Sequence, residues 1–432
     1  MLTIAALSAA SLPRVALAVA GVAALAWLAG TAATRLAQPR VIGELVAVMS
    51  LGPSALGAVA PGVPAFLFPP AIHGVLVTIG QAGVVLFMFF VGVEFEGGLL
   101  KARPRVGVAV ASVSVALPLL LGVAVALPFA GYIAAPPARP WLCALFVGVA
   151  LSVTAFPILA AIVEETPLTT PSLGQLALGC AAGTDVVAWL MLAVLSAQVH
   201  ASAEARVAER LLAVAALAIV VLVPLRRALR RGLRSLPERA QAVAVPAAGL
   251  ALAASLASAT DHLGVTVIFG AFLAGLALNG EPRALQGLLA RVRRVNRFAL
   301  LPVFFVLVGL AANLHAAAGS LALAGIGVLL LAAAVVGKVG GVSVAARCSG
   351  LGWRDALGLG ALLNTKGLTE IVVLGVGYHL GLISAAVLGM LVAVALVTTA
   401  STVPLLLLLE LAHGTRESAI RYEIPATGEL GP

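Results

Sequence analysis

Charge is scarce in this chain. Asp, Glu, Lys and Arg make up 10% of its 432 residues, where a soluble domain carries about a quarter. Aromatic residues are few as well, at 5%, and there are three cysteines, Cys143, Cys180 and Cys348. The cysteines sit in or beside apolar runs, without metal-ligand spacing or an even count, so they read as small core residues and not as a disulfide or zinc framework. No glycine-rich loop ends in Lys-Ser or Lys-Thr, so nothing points to ATP. No cofactor is expected. What the chain has in excess is apolar surface: 62% of its residues are hydrophobic and the mean hydropathy is +1.14. Many uncharged runs reach about 18 residues or more, the length that crosses roughly 30 Å of hydrocarbon as helix. The runs do not alternate apolar and polar, which excludes a transmembrane β-barrel. The fold class is therefore an all-α polytopic membrane protein.

The apolar runs divide into about 13 spans, at roughly 14–34, 41–60, 72–96, 106–129, 141–163, 173–198, 206–225, 240–259, 263–279, 297–313, 319–346, 355–378 and 384–410. They are called helices one to thirteen below. The first reads as a retained span and not a signal peptide, because no basic residue precedes the first apolar residues and Arg14 falls among them. The basic loop "PLRRALRRGLRSLPERAQ" divides helices one to six from eight to thirteen, with helix seven as linker. Six plus six suggests two inverted repeats. Helices five and twelve, equivalent under such a repeat, are both interrupted by polar residues. Residues 411–432 form a short polar tail after the 1–410 membrane domain.

The net charge is +9. With the N-terminus outside, 20 basic residues fall on inner loops and four (Arg14, Arg139, Arg206, Arg210) on outer ones. That asymmetry predicts an outside N-terminus and a cytoplasmic C-terminus. It also accounts for the excess charge without a nucleic-acid partner. The two remaining cations, Lys338 and Lys366, lie inside spans.

Ionisable groups inside a bilayer are expensive, so each needs a reason. Asp185 lies halfway along helix six, directly after Thr184, with no cation within a turn or two. Either it stays protonated as a hydrogen-bond donor to a neighbouring helix, or it is a proton or cation site. Burial disfavours the charged form of a carboxylate, so such a group can lose its proton when a cation arrives and regain it afterwards. Lys338, deep in helix eleven, either snorkels towards the interface or balances Asp185. In helix five, Ser152 and Thr154 precede Pro157. Proline removes a backbone donor, leaving either a capped kink or a break that lines a cavity. In helix twelve, Asn364, Thr365, Lys366, Gly367, Thr369 and Glu370 interrupt the apolar sequence. An unwound segment is the physical reading, with Lys366 offsetting one half-helix dipole and Glu370 the other.

Eight stretches occur in order: "RLAQPRVIGELVAVMSLGPSALG", "FMFFVGVEFE", "GVALSVTAFPILAAI", "GTDVVAWLMLAV", "GAFLAGLAL", "LPVFFVLVGLAANL", "GKVGG" and "NTKGLTEIVVLGVG". Over about residues 35 to 405 the chain resembles the monovalent cation/proton antiporters of the sodium/hydrogen exchanger type. It is most similar to the branch of bacterial potassium-efflux antiporters and plant cation/proton exchangers. The resemblance implies 13 helices in a homodimer. A dimerisation part would cover about 14–96 and 240–313, and a moving core about 106–198 and 319–410, with 206–225 as linker. Helices five and twelve would be broken and would cross. By position Asp185 matches the family's ion-binding aspartate, Lys338 the basic residue of the eleventh helix, and Thr154 the threonine of the fifth helix's break. Asn364, Thr365 and Lys366 match the break in the twelfth. Thr184 departs from the Asp or Asn that usually precedes that aspartate.

The expected function is exchange of Na+ or K+ for H+ by alternating access in the cell membrane, with no enzyme activity. Asp185 would take the cation together with oxygens from Thr184, Thr154 and Ser152. Lys338, Lys366 and Glu370 would balance or couple charge, and Pro157, Asn364, Thr365 and Gly367 would shape the breaks. One central carboxylate predicts one cation per proton. The alternatives are coupled export of an organic solute, for which a large apolar cavity beside Asp185 is the mark, and a passive cation channel. An intramembrane aspartyl protease needs two embedded aspartates, and Asp261 falls in a short external turn.

Overall fold

The computed structural model describes residues 12–35, 38–52, 56–60, 62–94, 104–165, 170–200, 204–263, 265–279 and 288–412. The polar tail from residue 413 onward lies outside the described residues. Among them there is no β-strand, only an isolated bridge between Ala134 and Ile383. Nine of the described helices are long and apolar enough to cross a membrane.

Most spans fall where the hydrophobic runs place them. Helix one is Leu12–Arg35, helix three Pro70–Glu94, helix four Pro104–Ala126, helix six Pro171–His200, helix eight Glu238–His262, helix nine Val267–Leu278 and helix thirteen Ala385–Ala412. Helix five is two pieces, Pro140–Ser152 and Phe156–Glu165, and helix twelve is two pieces, Trp353–Leu363 and Leu368–His379. Helix eleven runs Leu321–Val335, then a π-helical turn Val336–Gly341, then Val342–Cys348. Such π turns often mark functional positions in a helix.

Three expectations change. Helix two, expected as one span over 41–60, ends as Arg40–Ser50, and its 11 residues reach only about 16 Å. Two short helices, Leu56–Val59 and Gly62–Leu67, follow it. A proline at position 53 disfavours helix in the residue before it, and a Cβ on Gly52 would lie 2.1 Å from the Gly309 carbonyl. Helix ten begins earlier than expected, as Leu288–Val295, a π turn Asn296–Leu300 and Leu301–Ala311. The basic loop is also partly helical: helix seven, Glu204–Val220, passes through a π turn, Val221–Leu225, into Arg226–Arg234. Arg, Leu and Ala are strong helix formers, and the π turn accommodates Pro224. Arg226 and Arg230 both donate to the Asn279 carbonyl at the end of helix nine.

Helices one, two, three, eight, nine and ten pack chiefly on one another, and helices four, five, six, eleven, twelve and thirteen form a second group. Helices three and nine touch backbone to backbone: a Cβ on Gly275 would lie 2.1 Å from the Phe89 carbonyl. Phe272, about one turn from Gly275, lines a small cavity together with Ala182 and Val186 of helix six.

Candidate functional site

Helix five stops after Ser152, where Val153 turns extended (φ −60°, ψ 141°). A helix end leaves its last four carbonyls without partners, which in hydrocarbon is costly. Here all four are met. Ser152 Oγ donates to the Val149 carbonyl at 2.7 Å. Lys366 Nζ donates to the carbonyls of Ala150 (3.2 Å) and Leu151 (2.9 Å). Lys338 Nζ donates to the Ser152 carbonyl at 2.5 Å. Two ammonium groups thus sit on the negative end of the helix dipole.

Lys338 does not snorkel. It is wholly buried, and its ammonium also donates to Thr154 Oγ1 at 2.7 Å and Ser114 Oγ at 3.0 Å. Three N–H groups meet three acceptors, a full complement for lysine. Among the described residues Lys338 forms no ion pair with Asp185. The buried ion pair lies within helix twelve, Lys366 to Glu370 at 3.2 Å. Glu370 stands in the first turn of that helix's second half, where a carboxylate suits the positive dipole end.

The second half of helix five begins at Phe156, with Pro157 next. Proline in a first turn costs nothing, because N–H groups there lack helical partners anyway. The amides before it find partners on the helix twelve break and on helix six. Ala155 N donates to the Thr365 carbonyl at 3.0 Å, and Phe156 N to Asp185 Oδ2 at 3.4 Å. Thr154 Oγ1 donates to the Leu363 carbonyl at 3.1 Å. The break in helix twelve turns on Gly367, whose φ of +112° is a conformation that side chains with a Cβ rarely adopt.

Asp185 is 2% exposed. Among the described residues its Oδ1, like Glu370 Oε2, has no hydrogen-bond partner, although most buried polar atoms are paired. It borders a cavity of about 10 Å³ lined by Val91, Phe156, Ala182, Val186 and Phe272, room for about one water-sized body. A much larger cavity, about 560 Å³, lies between the two helix groups with His73, Asp261, Phe304, Tyr378 and His379 in its wall. Asp185 is not on that wall.

The other expected oxygen donors are already engaged. Thr184 Oγ1 donates to the Ala181 carbonyl in its own helix at 2.9 Å, Ser152 to Val149, and Thr154 to Leu363 while accepting from Lys338. The described residues contain no cluster of three His, Cys, Asp or Glu side chains that fits a metal ion. The structure also brings in residues the sequence did not single out: Ser114, Phe272, and the buried hydroxyls Thr398, Thr399 and Thr402 of helix thirteen.

The family model described as "Sodium/hydrogen exchanger, transmembrane" matches residues 20–408. The chain is 33% identical over 384 residues to the Na(+)/H(+) antiporter NhaS4 of Synechocystis, covering 88% of this chain and 93% of that one. It is 32% identical to cation/H(+) antiporter 17 of Arabidopsis thaliana, covering 86% of this chain and 45% of that one. It is 30% identical to K(+)/H(+) antiporter 1 of Saccharomyces cerevisiae, covering 85% and 43%. The chain thus spans about half the length of these plant and yeast relatives. Its fold matches the sodium proton antiporter MjNhaP1 from Methanocaldococcus jannaschii at pH 8, with a TM-score of 0.63, 15% identity, and coverage of 91% and 95%. Sequence, helix breaks and fold lead to one assignment: the chain belongs to the sodium/hydrogen exchanger family of membrane antiporters.

Proposed function

We propose that the protein exchanges a monovalent cation, Na+ or K+, for H+ by alternating access, with Asp185 as the group both ions share. The observation that carries this reading is the unpartnered, buried Asp185 Oδ1 beside a cavity for one small body. A proton satisfies that oxygen as a covalent O–H; a cation satisfies it as a ligand, and hard cations take oxygen ligands. Lys338 and Lys366 hold the crossing together as fixed charges, so one cation exchanges for one proton. Helices four to six and eleven to thirteen form the moving core; helices one to three and eight to ten form the static part and the homodimer contact, with helix seven between. The protein crosses the plasma membrane thirteen times with the N-terminus outside and the C-terminus in the cytoplasm, a reading that the excess of basic residues on the inner loops supports. The 560 Å³ cavity then opens outward.

Coupled export of an organic solute needs room beside Asp185, and the cavity there is about 10 Å³. A passive channel would dissipate gradients without moving protons. Proteoliposomes loaded with a pH dye and challenged with Na+, K+ or Li+ separate these readings. Cation-dependent proton flux, unaffected by clamping the membrane potential, is expected. Flux without proton movement would favour the channel, and flux that changes with the clamp would overturn the one-for-one count.

A further inference from the structure

Helix thirteen carries the run "VTTASTVP", with Thr398, Thr399 and Thr402 buried to 2% exposure or less. Hydroxyls in a membrane helix usually donate back to the preceding turn, and these do: Thr398 to Val394 and Thr399 to Ala395. That leaves their acceptor lone pairs free, and the run faces the break in helix twelve. Thr399 Oγ1 accepts the Lys366 amide at 3.1 Å. The Thr398 carbonyl accepts from Asn364 Nδ2 at 3.4 Å. Thr402 Oγ1 and Thr365 Oγ1 are hydrogen-bonded at 3.3 Å. A Cβ on Gly367 would come 3.6 Å from Thr399 Oγ1, so Thr399 also packs against the turning point.

Pro404 adds to this. It lacks the N–H that the Ala400 carbonyl would accept, and Gln38 Nε2 takes that carbonyl at 3.5 Å. Helix thirteen is thus tied on one side to the segment before helix two, and on the other to the break.

We infer that Thr399, with Thr398 and Thr402, is a positioning cradle for the unwound segment of helix twelve, and through it sets the geometry at Asp185. The route is short. Thr399 fixes the Lys366 amide; the Thr365 carbonyl before it holds Ala155 N; and the next amide, Phe156, donates to Asp185. Thr399 touches no transported ion. Losing its acceptor lets the Thr365 carbonyl drift, loosens Phe156 N from the carboxylate, and shifts the balance between proton and cation there. The inference rests on Asp185 as the exchange site.

The test is cation-driven proton exchange in proteoliposomes with Thr399→Val, Thr399→Ser and Asp185→Asn. Valine keeps the shape of threonine and removes the acceptor. Thr399→Val is expected to change KM for the cation about tenfold, the scale of one buried hydrogen bond, and to displace the pH profile. Thr399→Ser, which keeps the hydroxyl, is expected to restore both. A wild-type KM and pH profile in Thr399→Val would overturn the inference, as would a Thr399→Ser protein as impaired as the valine variant. If Thr399→Val does not fold, Thr399→Ser must fold with wild-type kinetics; failure of both to fold counts against the hydroxyl. Normal exchange by Asp185→Asn beside an altered Thr399→Val would remove Asp185 from the account but leave Thr399 acting on the break.

Discussion

Lys338 and Asp185 are both buried charges in the middle of the same group of helices, and their surroundings are opposite. The lysine spends all three N–H groups on Ser114, Thr154 and the Ser152 carbonyl. Among the described residues the aspartate has one weak amide contact at 3.4 Å and one oxygen with no partner. A fully satisfied ion in a dry site has little reason to change state, because any change leaves acceptors bare. An unsatisfied oxygen beside a small cavity gains from any proton or cation that arrives. Under the proposed exchange, Lys338 is the charge that builds the site and Asp185 the charge that works in it.

The largest expected effect falls on the working charge. Asp185→Asn keeps the shape and removes the ionisable group, and exchange should drop to the level of empty liposomes, measured by cation-driven pH change. The ion pair comes next. Lys366→Met leaves Glu370 buried without its partner and should destabilise the protein by about 3–5 kcal/mol, read as a fall in thermal unfolding temperature in detergent. Adding Glu370→Gln should recover a large part of that loss, since the uncompensated charge is gone; a double variant worse than the single would show that the pair is not the source. Lys338→Met should cost about 1–3 kcal/mol, through a Ser152 carbonyl left without its cation. A Lys338→Met protein of wild-type stability would break the contrast with Asp185. The smallest effect belongs to Thr184, whose hydroxyl bonds only within its own helix. Thr184→Ala should change KM and turnover less than about twofold, as expected for a residue whose loss leaves no buried group bare. A large effect would place its oxygen on the ion.

Much of this was legible in the sequence. Apolar run length placed most spans, because hydrocarbon thickness leaves little choice. Both breaks announced themselves, one by Pro157 and one by a polar cluster around Gly367. The charged residues of the crossing were visible because charge inside an apolar run has no ordinary explanation. What stayed hidden depends on backbone. The sequence sets Lys338 beside Asp185 because it shows side-chain charges and not the carbonyls that a break exposes; the structure sends the lysine to one of those carbonyls. Ser114, Thr398, Thr399 and Thr402 carried no signal either, since a hydroxyl in a membrane helix can always bond to its own preceding turn. The early end of helix two was legible in Pro53, which a count of apolar residues passes over; the close approach of Gly52 to Gly309 was not.

Under the proposed exchange, proton and cation compete for one oxygen site on Asp185. The most direct test is KM for the cation measured in proteoliposomes over a series of pH values. Competition by one proton predicts that KM rises about tenfold for each unit of added acidity once the carboxyl is mostly protonated, with the maximal rate at saturating cation preserved. A KM that stays constant across the pH range, while the rate alone changes, would contradict a shared site.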